Sequence, residues 1–154
     1  MFLTSDKIKE AISNSELGIA PFDSNLLKDA SYTFTLGKIV RTLKNEGALD
    51  SREDPLFHEA QISGDGYELK PGSFGIFLTE QKVTLNGKFV CLVSTRATIA
   101  SMGLDVTQSS FFAEPDTDNQ FALEITNRGP LSVKLYPGTK IAKATFLSLD
   151  SLFE

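Results

Sequence analysis

Closely spaced turns constrain this chain more than any other feature. From Tyr67 onward, short apolar runs are separated by Pro71-Gly72, Asn86-Gly87, Pro115-Asp116, Arg128-Gly-Pro130 and Pro137-Gly138. Proline presets φ for the first central position of a tight turn, while glycine and asparagine accept the positive φ that many such turns require. Short strands joined in this way predict an antiparallel sandwich or barrel. Within Gln120-Phe-Ala-Leu-Glu-Ile-Thr-Asn127 the large apolar side chains Phe121, Leu123 and Ile125 alternate with Ala122, Glu124 and Thr126. A strand sends successive side chains to opposite faces, so Glu124 is predicted to point away from the core.

The first half reads differently. Thr4 or Ser5 can cap a short helix, with Asp6 in its first turn and Ile8, Ala11 and Ile12 at helical spacing, ending before Gly18. Pro21, Asp23, Ser24 and Asn25 punctuate a loop, after which Ser31-Tyr-Thr-Phe-Thr-Leu-Gly37 alternates like a strand. Residues 44–55 carry Asn, Gly, Asp, Ser, Arg and Glu and are expected to form a mobile surface insertion at the rim.

Composition removes several function classes. The 154 residues, 41% hydrophobic with 12 Phe, suffice for one core, and a single domain over 1–154 is expected. No stretch approaches the roughly 20 apolar residues of a membrane span, and Met1-Phe-Leu-Thr-Ser-Asp-Lys7 lacks a basic segment followed by an apolar run, so a cytoplasmic protein is expected. A net charge of −5 without a basic stripe argues against a nucleic-acid partner but leaves room for a small anionic ligand. Cys91 is the single cysteine and His58 the single histidine, so one chain cannot assemble a Cys/His zinc site. Cys91, within Lys88-Phe-Val-Cys-Leu-Val93, reads as a buried strand thiol.

The order of motifs resembles that of the dCTP deaminases, in the dCTP deaminase and dUTPase superfamily. Phe2-Leu-Thr-Ser-Asp-Lys-Ile8, Gly18-Ile-Ala-Pro-Phe-Asp23 and Ser31-Tyr-Thr-Phe-Thr-Leu-Gly37 are similar to the family's opening helix, its Ile-x-Pro-Phe-Asp turn and its Ser-Tyr-Asp-x-x-Leu-Gly strand. Leu69-Lys-Pro-Gly-Ser-Phe74 and Thr79-Glu-Gln-Lys-Val-Thr-Leu85 resemble its Pro-Gly-x-Phe and Thr-x-Glu-x-Val-x-Leu pair. Arg96-Ala-Thr-Ile-Ala-Ser-Met-Gly-Leu104 lines up with the family's phosphate loop. Phe112-Ala-Glu-Pro115, Ala122-Leu-Glu-Ile-Thr-Asn127 and Tyr136-Pro-Gly-Thr-Lys-Ile141 resemble its later strands. The resemblance implies a mainly β fold, a distorted antiparallel barrel or sandwich of the dUTPase-like, jelly-roll type with a short N-terminal helix, assembled as a homotrimer.

The resemblance also implies a chemistry: zinc-free hydrolytic deamination of dCTP to dUTP with release of ammonia. Glu124 occupies the place of the family's general base, which activates the water that adds to the cytosine ring. Such a base needs partial desolvation, which a neighbouring subunit could supply. Arg96 and Thr98 keep donors toward the phosphates, Glu114 falls near the sugar, and Lys140 and Lys143 could add charge toward a triphosphate. Magnesium would arrive with the nucleotide.

Departures weaken that chemistry. Ala97 stands at a family serine, and Ser101, counted with the substrate-binding positions, replaces an arginine that helps position the catalytic water. Thr33 replaces the Asp of the Ser-Tyr-Asp strand, and Lys143 stands where a Gln is common. Family members commonly continue into a tail that closes over the nucleotide, and this sequence ends at Glu154. Losing one preorganised donor typically costs about a hundred- to a thousandfold in rate. A catalytically degenerate protein that binds nucleotide or a protein partner without turnover therefore stays beside the deaminase. A dUTP diphosphatase is a further alternative, although Ala113-Glu-Pro-Asp-Thr-Asp118 lacks the Ile-Asp-x-x-Tyr pattern of dUTPases. An unrelated jelly-roll module binding a protein partner also remains open.

Overall fold

The computed structural model describes residues 1–108 and 111–149. Helix α1 (Ser5–Ser13) starts after Thr4, which serves as its N-cap residue without a capping side-chain bond, and buries Ile8 and Ala11. The strands that follow are β1 (Gly18–Ala20), β2 (Leu27–Lys28), β3 (Ser31–Leu43), β4 (Phe57–Gln61), β5 (Tyr67–Leu69), β6 (Phe74–Thr84) and β7 (Phe89–Thr95). A short helix α2 (Ala97–Ala100) precedes β8 (Leu104–Asp105), β9 (Phe111–Ala113), β10 (Asp118–Asn127), β11 (Val133–Leu135) and β12 (Lys140–Ser148).

Among the described residues ten strands form one curled antiparallel sheet in the order β8-β10-β6-β3-β12-β7-β9, with β1 added to β6 and β2 and β4 to β3; β5 and β11 pair separately. The long strand β3 makes the curl possible. Its first half pairs with β12 and its second half with β6 and β4, so one strand serves both layers and folds them over a common core. Phe34 of β3 and Phe121 of β10 meet across that core edge to face at 5.3 Å, and Phe111 lies 4.8 Å from Phe121. Phe34, Phe77, Phe121, Leu123, Ile125 and Phe146 are all essentially inaccessible to solvent. The expected dUTPase-like β fold with one short helix at its N-terminus is what the chain adopts.

Register shifts occur where β3 meets β6, between Leu36 and Val40, and where β10 meets β6, between Gln120 and Ala122. A bulge leaves backbone groups unpaired, and buried side chains replace the missing ladder bonds here. The Gln81 side chain accepts from the Thr35 amide at 3.0 Å and donates to the Thr35 hydroxyl at 2.8 Å. The Thr79 hydroxyl accepts from the Phe121 amide at 2.9 Å and donates to the Gln81 carbonyl at 2.8 Å. These polar residues are buried because they finish the backbone.

The segment expected as an insertion turns out to be the connection of a hairpin. β4 returns antiparallel along β3, and the Lys44 amide donates to the Leu56 carbonyl at 2.8 Å. Cys91 is fully buried in β7, as its apolar neighbours imply, and burial pushes its thiol well above the ordinary range.

Candidate functional site

Strand β10 presents Glu124 as its alternation dictates. Phe121, Leu123 and Ile125 are buried, while Glu124 is exposed on the opposite face. Register carries that face across the sheet: Glu124 lies opposite Ile76 of β6, Ile76 opposite Arg41 of β3, and Arg41 opposite Glu59 of β4. Arg41 donates from Nε to Glu59 at 2.8 Å. Two strand spacings, roughly 9–10 Å, separate the Arg41 and Glu124 backbones. Around them the half-buried Phe74, Ile76, Leu78 and Ala122 make the face partly apolar. One hydroxyl on this face, Thr126 Oγ1, is buried without a hydrogen-bond partner among the described residues.

The loop expected to hold phosphates lies at the far end of β10. Arg96 follows β7 as the N-cap residue of α2 and is half-buried, its amide donating to the Ile141 carbonyl at 3.3 Å and its carbonyl accepting from Ile99 and Ala100. Thr98 is exposed. Ser101 Oγ donates to the Thr98 carbonyl at 2.7 Å, so the residue that replaces an arginine spends its only proton within the loop. The loop is fixed against the end of β10 by backbone: the Arg128 amide donates to the Gly103 carbonyl at 2.8 Å. Gly103 has φ of +89°, and a Cβ there would stand 2.5 Å from the Gly129 Cα. Only glycine meets both conditions.

The remaining positions divide between surfaces. Lys143 is exposed on β12 opposite Thr33 of β3 and Ser94 of β7, and Lys140 lies opposite Thr35. Because Ala142 and Ala144 enter the core, Lys143 projects outward from the layer that faces away from Glu124. Glu114 is exposed in the turn between β9 and β10, its carbonyl accepting from the Thr117 amide at 3.0 Å. A single chain therefore does not gather Glu124, Glu114, Arg96, Thr98, Ser101, Lys140 and Lys143 into one pocket. Asn127 serves the fold: its Nδ2 donates to the Leu69 and Leu131 carbonyls at 2.9 and 2.8 Å, and its Oδ1 accepts from the Gly129 amide at 2.9 Å.

Beside the loop lies a cleft of about 680 Å³, walled in part by Leu92, Ser94, Thr95, Gly103, Asp105 and Arg128. Arg96, Thr98 and Ser101 are not among its walls. Sequence reasoning did not single out Arg128 or Asp105; the available signal was an arginine in the turn directly after the Glu124 strand.

The sequence model of the dCTP deaminase-like family matches residues 2–149. The chain belongs to that family. Among curated relatives, the "dCTP deaminase, dUMP-forming" of Corynebacterium glutamicum is 25% identical over 158 residues, covering 98% of this chain and 82% of its own. That of Mycobacterium ulcerans is 28% identical over 156 residues, again covering 98% and 82%. These relatives are named for forming dUMP, whereas the motif resemblance implied dUTP. Among solved structures, the dCTP deaminase of Agrobacterium tumefaciens superposes with a TM-score of 0.72 at 16% identity over 94% of this chain, which spans 47% of that one. The dUTPase of Staphylococcus bacteriophage 80alpha gives 0.58 at 12% identity, over 88% of this chain and 91% of that one. At such identities the superpositions speak for the fold. Among its described residues this member of the family has no helix long and apolar enough to cross a membrane.

Proposed function

We propose that this dCTP deaminase-like protein acts in deoxynucleotide metabolism, deaminating dCTP without zinc in a site completed between copies of the chain in a homotrimer. Glu124 is the general base: it takes a proton from a water whose oxygen adds to the cytosine ring carbon, and the ring amino group leaves as ammonia. In the manner for which the relatives are named, a second water cleaves the phosphoanhydride, so that dCTP and two waters give dUMP, ammonia and diphosphate. Magnesium enters with the triphosphate. The observation carrying this reading is the placement of Glu124, the one acidic side chain of its strand's outer face between Ala122 and Thr126, on a partly apolar surface that a second copy could desolvate.

A second reading keeps the nucleotide and loses the turnover. Its support is Ser101, whose hydroxyl donates to Thr98 where the family pattern has an arginine, together with Ala97, which offers no donor. Incubating the purified protein with dCTP and magnesium, while following ammonia and diphosphate release, separates the two. Ammonia release that is abolished by Glu124→Gln supports the deaminase. A rise in melting temperature with dCTP but no ammonia supports the non-catalytic binder, because a ligand of the native state must raise that temperature. The absence of both signals, or light scattering that finds a monomer, overturns the proposal.

A further inference from the structure

We propose that Arg128 is the residue in this chain that binds the phosphate groups of an anionic ligand, in the cleft beside residues 96–103, taking over the charge missing at Ser101. The inference deepens the deoxynucleotide reading and rests on it for the ligand's identity, although the anion site itself can be tested without a nucleoside. Among the described residues Arg128 is the single cationic side chain in the walls of the cleft, which is large enough for several phosphate groups.

The guanidinium is held from one end. Nη2 donates to the Gln108 carbonyl at 2.7 Å and lies 3.0 Å from Asp105 Oδ2, while Nε and Nη1 have no partner among the described residues. An arginine anchored through one nitrogen with its other donors open is preorganised for a planar oxyanion contact. Its backbone is fixed as well, through the amide bond to Gly103 and the close approach of Gly103 to Gly129. Arg128 thus keeps its place relative to the loop.

Hydroxyls complete the donor set. Thr95 Oγ1 accepts from the Val106 amide at 3.1 Å, which leaves its proton to donate into the cleft beside Ser94. Lys143 is paired in register with Ser94, and side chains directly opposite on neighbouring strands start about 5 Å apart, so its ammonium can extend over the same rim. Asp105 works against an anion. Its Oδ1 accepts from the Thr107 amide at 3.0 Å and the Thr107 hydroxyl at 3.3 Å, and its other oxygen offsets the Arg128 charge. The proposal therefore assigns opposite signs to the two partners.

Titration calorimetry with inorganic tripolyphosphate and, separately, with dCTP and magnesium tests the assignment. Wild-type protein is expected to bind tripolyphosphate, Arg128→Gln to weaken binding about tenfold, and Asp105→Asn to tighten it about two- to threefold, since Asn keeps the acceptor for Thr107 and loses the charge. Damage to the fold would weaken both variants, so the opposite sign separates binding from structure. Tripolyphosphate binding that is absent in the wild type, or unchanged in Arg128→Gln, overturns the assignment. If tripolyphosphate binds through Arg128 while dCTP does not bind, the anion site stands and the deoxynucleotide reading falls. If dCTP binds equally well to wild type and Arg128→Gln, the reading stands and the assignment falls.

Discussion

The two faces of β10 are built to different standards. Inward, Phe121, Leu123, Ile125 and Asn127 are buried to 1% exposure or less, and Asn127 satisfies the Leu69 and Leu131 carbonyls and the Gly129 amide. Outward, Glu124 is exposed and the Thr126 hydroxyl is buried with no partner among the described residues. One strand thus separates the residues that make the fold from those left over for a ligand or a second copy. The inner face is closed by this chain alone, and substitutions there should cost stability. Substitutions on the outer face should change chemistry and leave the fold intact.

The largest expected effect is at Phe121, which contacts the rings of Phe34 and Phe111. Phe121→Ala removes a ring from the junction of the two layers and should cost about 3–5 kcal/mol, read from thermal or urea unfolding. Asn127→Ala should cost about 2–3 kcal/mol by the same measurement, because the buried Leu69 carbonyl and the part-buried Leu131 carbonyl lose their donor together. A loss well below 1 kcal/mol at either position would mean that the inner face is less complete than its burial suggests.

Glu124→Gln sharpens the contrast from the other side. Stability should stay within about 0.5 kcal/mol of wild type, as for an exposed side chain with no partner among the described residues. If the protein deaminates dCTP, ammonia release should fall by roughly 10²- to 10⁴-fold, the usual contribution of a general base. Melting curves and a turnover assay on the same preparation read both. Loss of stability together with activity would place Glu124 in the folding scaffold and erase the distinction between the faces.

Much of the inner face was legible in the sequence, and the reason is local. Alternation in residues 120–127 and turn residues such as Pro71-Gly72 and Pro137-Gly138 act over a few positions, so they sort core from surface without knowledge of the partner strands. The surface character of residues 44–55 was legible from composition, but their role as a hairpin connection was not, because nothing local tells that Phe57–Gln61 returns along β3. The separation of Lys143 from Glu124 was equally hidden. It follows from β12 lying between β3 and β7, and strand order is a long-range property. Arg128 was overlooked because its place at the cleft depends on the contact between Gly103 and Gly129, which are 26 positions apart (129 − 103).

The smallest effect tests the comparison most directly. Thr126 shares the outer face with Glu124, opposite Asp105 and Phe74, and its hydroxyl is buried without a partner among the described residues. A buried hydroxyl in that state costs free energy that a methyl of similar size does not. Thr126→Val, which keeps the β-branched shape a strand favours, should therefore leave stability unchanged or raise it by up to about 1 kcal/mol. Calorimetric melting of the two proteins at equal concentration decides the matter. A loss above 1 kcal/mol would mean that the hydroxyl has a partner within the protein as it exists in solution, and the outer face would then be finished like the inner one.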